Sequence, residues 1–294
     1  MILMKRSFAL MLLACGAATA HAAGTLEKAA ASGQITLAYR ESSVPFSYLE
    51  APGKPIGFAV DIAKAVADAA SKQVGKPLEV KWISVTSANR IPLLQNGTID
   101  LECGSTTNNS MRGKDVDFAI NHFYTGTRLL VKKTSGIKNY ADLKGKVLAV
   151  TTGTTNAQVL RKYDADKNTG MQITLTRDHA DAFLMVESDR AAAFGMDDIL
   201  LYGLQANSKA PDLYEVVGDA LQVEPYACMV RNDDPEFKKL VDGVIGNMMA
   251  SGQFDKLYQR WFEQPIPPKN IALKVPMSAE LKDNIKNRSD KPAL

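Results

Sequence analysis

Short β-rich runs and amphipathic stretches alternate along this chain, and the alternation starts twice. "QITLAYR" (34–40) is rich in strand-forming residues, and "FAVDIAKAVADAASKQVG" (58–75) carries apolar residues at helical spacing. "LEVKWISV" (78–85) alternates, "NRIPLLQNG" (89–97) reads as a short helix stopped at Asn96-Gly97, and "IDLECG" (99–104) is a further strand. This βαβ order predicts a parallel-dominated sheet with helices on both faces. A second round opens at "YADLKGKVLAVTTGTTNAQVLRKY" (140–163) and runs through "QITLTR" (172–177), "DAFLMVESDR" (181–190), "AAAFGMD" (191–197) and "DILLYGLQ" (198–205). Its opening, "ADLKGKVLAV", echoes "LEKAAASGQITLAYR" as helix, glycine, strand, which predicts two similarly built lobes. After Pro225 come a strand, "YACMVR" (226–231), and two helices (235–262) broken at Gly252. The tail from Pro265 is Pro-rich, then Lys-rich, and is expected along the surface. If the last strand and helices rejoin the first lobe, the chain crosses between lobes near 125–128 and 222–226. The expected division is 23–125 with 226–294 for one lobe and 126–225 for the other.

The N-terminus stands apart. Lys5 and Arg6 precede an apolar run from Phe8 to Leu13, and small residues follow to Ala20-His21-Ala22. This reads as a secretory signal covering 1–22, cleaved after Ala22, and hence export to the periplasm. The run is shorter than the roughly 20 apolar residues of a membrane span. Lipidation at Cys15 in "LLAC" is the alternative. Loss of Lys5 and Arg6 from 35 basic residues leaves 33 against 32 acidic ones, so the mature chain is nearly neutral. Without a clustered basic face it is no nucleic-acid binder. Cys103 and Cys228 remain after processing. In an oxidising compartment the even pair invites a disulfide, and two buried thiols are the alternative. With His122 and His179 as the remaining histidines, and no CxxC or HExxH, neither a metal nor another cofactor is expected.

The segment "LECGSTTNNSMRG" (101–113) runs from a strand into small polar residues and then one arginine. Arg112 has the planar fork that clamps a carboxylate. Ser105, Thr106 and Thr107 follow a strand end, where loop hydroxyls and N–H groups meet ligands in open α/β sheets. "TTGTTNA" (151–157) makes the matching feature in the second half, a polar loop entering a helix whose N-terminus attracts anions. A solvated turn and an ordinary Thr cap are the plain readings of these two segments. Asp197 closes the strand "AAAFGMD" and suits an ammonium, although it or Asp198 could simply cap the next helix.

Taken together, "YRESSVPFSY", "TSANRIPLLQNGTIDLECGSTTNNSMR", "GTRLLVKK", "ADLKGKVLAVTTGTT" and "IPPKN" resemble the exported amino-acid-binding proteins of ABC importers. Among solute-binding proteins of family 3 the likeness is to the glutamate/aspartate-binding branch. It extends from about 25 to 275, and 86–112 is its most specific part. The resemblance implies a two-lobed periplasmic-binding-protein fold, two doubly wound α/β sheets joined by a two-stranded hinge, with ligand in the cleft. It assigns the ligand carboxylate to Arg112, direct contacts to Ser105, Thr107 and Thr155 (with Thr154 as a second choice), and the ammonium to Asp197. It adds Arg40, Ser87, Arg90 and His179 as the residues that select a dicarboxylate; each alone would read as a surface ion pair or a half-buried polar residue. Phe46 and Tyr48 either wall the pocket or pack in the core.

The implied partners are glutamate or aspartate, a membrane permease and its ATPase, with the protein itself a monomer. The alternative is an enzyme on the same scaffold, a lyase or dehydratase acting on a small amino or carboxylic acid. It would need a general acid or base, for which His179 and Glu102 are the candidates. Counting three arginines against Asp197 leaves an excess of positive charge that a second carboxylate would neutralise.

Overall fold

The computed structural model describes residues 23–293, so the expected export signal and Cys15 lie outside the described residues. Helix α1 (Thr25–Ser32) leads into β1 (Gln34–Tyr39). A small antiparallel flap of β2 (Ser42–Ser43), β3 (Ser47–Ala51) and β4 (Lys54–Ile56) precedes α2 (Phe58–Gln73). Helix α2 buries Phe58, Ile62, Val66 and Ala70 with their neighbours, one stripe of a helix facing a sheet. Strand β5 (Glu79–Ser84) lies parallel to β1 with Trp82 opposite Leu37. The short α3 (Arg90–Gln95) returns the chain to β6 (Leu101–Glu102), on the other side of β1, and β7 (Asp117–Phe118) follows.

The long β8 (Phe123–Lys132) carries the chain into a second sheet. There β9 (Val147–Thr151), α4 (Thr155–Lys167), β10 (Gln172–Thr176), α5 (His179–Glu187), β11 (Ala193–Asp197) and α6 (Asp198–Asn207) repeat the βα order. Strand β12 (Tyr214–Val217) forms an edge, and β13 (Val223–Tyr226) leads back. Strand β14 (Met229–Val230) then enters the first sheet, followed by α7 (Pro235–Ala250), α8 (Gln253–Tyr258) and α9 (Ala279–Asn287).

The strand orders are β5-β1-β6-β14-β7 and β10-β9-β11-β8-β12. In each sheet the leading strands are parallel, and a returning strand (β14 or β8) runs antiparallel to its neighbours. Both sheets are thus mixed rather than wholly parallel. Strands β8 and β13 pair from Gly126–Val223 to Phe123–Tyr226, forming the two-stranded connection between the lobes. Beneath it Phe46, Phe58, Phe123, Tyr226 and Phe262 pack edge-on, tilted or stacked, with centroids 4.9–6.1 Å apart. Phe46 is therefore core, and Tyr48 also turns away from the cleft, its hydroxyl donating to Pro267 O at 2.7 Å.

Cys103 and Cys228 form a disulfide with Cα atoms 4.2 Å apart. The adjacent pairing of Glu102 with Met229 brings them together. The tail does more than follow the surface. Ser278 caps α9, which buries Leu281 and Asn284, and Asn284 Nδ2 donates to Asn121 O at 2.7 Å. Charged residues outnumber apolar ones in "AELKDNIKN", so the narrow buried stripe was obscured in the sequence.

Candidate functional site

Loops and helix starts at the C-terminal ends of the parallel strands meet between the lobes, the usual ligand position for open α/β sheets. Ser87, Arg90, Ser105, Thr107, Arg112, Thr154, Thr155, Asn156, His179, Met196, Asp197 and Leu200 line one cavity of about 200 Å³ there. Ser87 and Arg90 come from the turn after β5 and the start of α3, and Ser105 and Thr107 from the loop after β6. Thr154 caps α4, placing Thr155 and Asn156 in its first turn, where backbone N–H groups lack partners within the helix.

Of the nine residues expected at a ligand, eight line this cavity. Arg40 stands behind it. Its Nη2 donates to Asp178 Oδ1 at 2.8 Å and lies 3.3 Å from His179 Nε2, while Ser42 Oγ donates to Asp178 Oδ2 at 3.0 Å. Because a guanidinium only donates, Nε2 of His179 accepts, and Nδ1–H faces Thr151 Oγ1 at 2.9 Å. Burial lowers the His179 pKa to about 3, and Arg40 adds to the effect. Burial resists ionisation of Asp178, but His179, Arg40 and the surrounding donors outweigh it and hold the pKa at about 2.

Arg112 bridges the lobes, donating to Thr107 O at 2.9 Å and to Gly153 O at 3.1 Å. Arg90 Nη1 reaches Ser105 O at 3.4 Å. Among the described residues, Arg90 Nε, Arg40 Nε and Nη1, Ser87 Oγ and Glu102 Oε1 are buried without a hydrogen-bond partner. Burial, then the neighbouring Arg112, lowers Arg90 to about 9. Of these, Arg90 and Ser87 line the cavity, and buried donors left unpaired are costly, so their part of the cleft is built for an acceptor.

The cleft also carries buried acids. Asp197 accepts from Asn156 Nδ2 at 2.6 Å and from the Tyr226 hydroxyl. Burial and then the nearby Glu224 push its pKa well above the ordinary carboxylate range. Asp198 does not line the cavity and accepts from Thr125 Oγ1 at 2.6 Å. Glu224 is wholly buried and accepts from Thr107, Thr155, Thr127 and Gln222.

The charge count from the sequence thus needs correction. Asp178, Glu102 and Glu224 join Asp197 beside the three arginines, and no net positive excess remains. Asn156, Asp178 and Glu224 were not singled out beforehand. Asn156 follows Thr155 directly and Asp178 precedes His179, so neighbourhood was their only signal. Glu224 sits in "VEPY", and a lone acid in an apolar crossing strand was the clue. Among the described residues, no group of His, Cys, Asp or Glu is placed to hold a metal, and no helix is long and apolar enough to cross a membrane.

Comparison with known proteins gives a consistent match. The profile of the bacterial extracellular solute-binding proteins, family 3, matches residues 35–264. The chain is 52% identical over 272 residues to the L-glutamate/L-aspartate-binding protein of Pseudomonas aeruginosa, covering 92% of this chain and 90% of that one. It is 46% identical to the glutamate/aspartate import solute-binding protein of Escherichia coli, covering 99% of each. A solved structure of a mutant of ArgBP from T. maritima superposes with a TM-score of 0.72 at 29% identity, covering 82% of this chain and all of that one.

Proposed function

From the chain's membership of the bacterial extracellular solute-binding proteins, family 3, we propose how its cleft recognises its solute. The protein is the solute-binding component of an ABC importer for glutamate and aspartate, and not an enzyme. The observation that carries the recognition reading is the polarity of the cavity. An unpaired guanidinium nitrogen of Arg90 and the buried Asp197 carboxylate line the same small cavity, and the N-terminus of α4 adjoins the carboxylate through Asn156.

In this reading Arg112 and the backbone N–H groups at the start of α4 take the α-carboxylate, with Ser105 beside it, while the Thr107 and Thr155 side-chain oxygens lie toward the ammonium. Asp197 takes the ammonium. Arg90 and Ser87, backed by Arg40 and His179, take the side-chain carboxylate. Residues 23–125 with 226–294, and 126–225, are the two bodies that close on it. The protein acts as a periplasmic monomer, after removal of residues 1–22, and delivers its solute to a permease driven by a separate ATPase.

Calorimetry on mature protein, unfolded and refolded to strip bound solute, tests the assignment. Glutamate and aspartate should bind at least about 30-fold more tightly than glutamine. An amide gives the buried, unpaired Arg90 donor no charged acceptor from the ligand, and leaving one partner of a buried charged pair unpaired costs roughly 2–5 kcal/mol. Equal affinity for glutamate and glutamine would reject the side-chain assignment. Conversion of glutamate during prolonged incubation, seen by mass analysis, would instead revive the enzyme reading.

A further inference from the structure

Glu224 occupies the crossing strand β13, is wholly buried, and does not line the cavity. Its Oε2 accepts from Thr107 Oγ1 of one lobe and Thr155 Oγ1 of the other, each at 2.5 Å. Its Oε1 accepts from Gln222 Nε2 at 2.6 Å and from Thr127 Oγ1 at 3.4 Å. Four donors around one side chain form the surroundings of a carboxylate.

A threonine hydroxyl has one proton and two lone pairs. Thr107 and Thr155 both commit their protons to Glu224, so the oxygens offer the cavity lone pairs only. Their Oγ1 atoms lie 3.3 Å apart, and Asp197 lines the same cavity. Asp197 has its own neighbours as donors, Asn156 Nδ2 and the Tyr226 hydroxyl. That wall therefore presents three acceptors, the complement of a primary ammonium with three donors and no acceptor.

We propose that Glu224 is the positioning residue that makes this site demand an amino group: by holding the Thr107 and Thr155 protons it turns both hydroxyls into acceptors, and so rejects dicarboxylates that lack the amine. The role rests on the acidic-amino-acid reading above. It also ties the discrimination to the closed arrangement, since one hydroxyl comes from each lobe and the carboxylate from the strand between them.

Calorimetry with L-glutamate and with glutarate, which has the same two carboxylates but no amine, measures the discrimination directly. The wild-type protein should favour glutamate by at least about 100-fold, about 2.7 kcal/mol. In Glu224→Gln the new amide donates to one of the hydroxyls and turns its proton toward the cavity. Glutamate affinity should fall about 10- to 100-fold while glutarate affinity holds or rises. A parallel loss of both ligands, leaving their ratio unchanged, would mean that Glu224 only supports the fold and would overturn the proposal. Thr155→Val provides the same reading if Glu224→Gln does not fold, because it removes one acceptor and should again cost glutamate alone. If the wild-type protein binds neither glutamate nor aspartate, the transport reading fails separately. The ratio is then read with whichever amino acid binds, against its des-amino analogue.

Discussion

Arg90 and Arg112 carry the same charge, yet their surroundings assign them different work. Arg112 is already engaged by carbonyls of both lobes, whereas Arg90 keeps a buried, unpaired Nε beside Ser87. Arg112→Met should therefore weaken glutamate, aspartate and glutamine together, by tenfold or more in calorimetry. Arg90→Met should weaken the two dicarboxylates far more than glutamine. Equal losses for glutamate and glutamine in Arg90→Met would show that the side-chain carboxylate lies elsewhere. His122 makes a different prediction. Both ring nitrogens are buried without partners, and burial lowers its pKa from 6.5 to about 3. A group with a depressed folded pKa stabilises the fold fully above its unfolded value, and that stability is lost as pH falls through the window from 6.5 to about 3. At pH 5 the loss relative to pH 7 is about 2 kcal/mol. His122→Phe, which keeps a ring against Phe46, should flatten the decline of denaturant midpoint between pH 6.5 and 4; an unchanged slope would rule His122 out as its source.

Two devices at the level of elements hold the cleft in shape. The disulfide fastens the end of β6, where the Ser105–Thr107 loop departs, to the strand returning from the hinge. It closes a span of 125 residues, and by chain entropy a loop of that size gives about 4–5 kcal/mol of stability. Thiol titration of unreduced, denatured mature protein should find almost no free thiol, and the Cys103→Ala, Cys228→Ala double variant should unfold at a much lower denaturant midpoint. The second device is close approach. Gly203 in α6 faces the flap so tightly that a Cβ there would sit 2.3 Å from Val44 O in the opposite lobe. Because the obstacle is backbone, Gly203→Ala should hold the lobes apart. Overpacking of this kind costs typically 1–3 kcal/mol, so glutamate affinity should fall about 10- to 100-fold while the unliganded thermal midpoint hardly moves. Full affinity in this variant would mean that tight closure of α6 on the flap contributes nothing to binding.

Over the whole molecule, ligand contacts drawn from both lobes should make binding and closure one equilibrium, biased by the difference in affinity between open and closed forms. Small-angle scattering should show compaction when glutamate is added. The thermal midpoint should also rise with free ligand, since the folded state alone has the cleft; at 100 times Kd the gain is about 2.7 kcal/mol. Compaction without a rise in midpoint, or the reverse, would separate closure from binding and contradict this coupling.

The sequence by itself determined the local part of this protein. Periodicity marked α2, strand-to-loop transitions marked the segments around Ser105 and Thr155, and the quoted motifs carried the family. Those signals are legible because each depends on neighbours within a turn or a strand. Only the tertiary structure decided what depends on partners far along the chain. Arg40 meets Asp178 across 138 positions and Thr107 meets Glu224 across 117, so neither acid could be weighed from its own surroundings. Phe46 was equally open to pocket or core until β8 and β13 brought Phe123 and Tyr226 against it. The arginines and Asp197 announced a binding site in the sequence, but Asp178 and Glu224, which balance its charge, join them only when two lobes and a hinge meet, because the energy of a buried charge is fixed by what surrounds it in space.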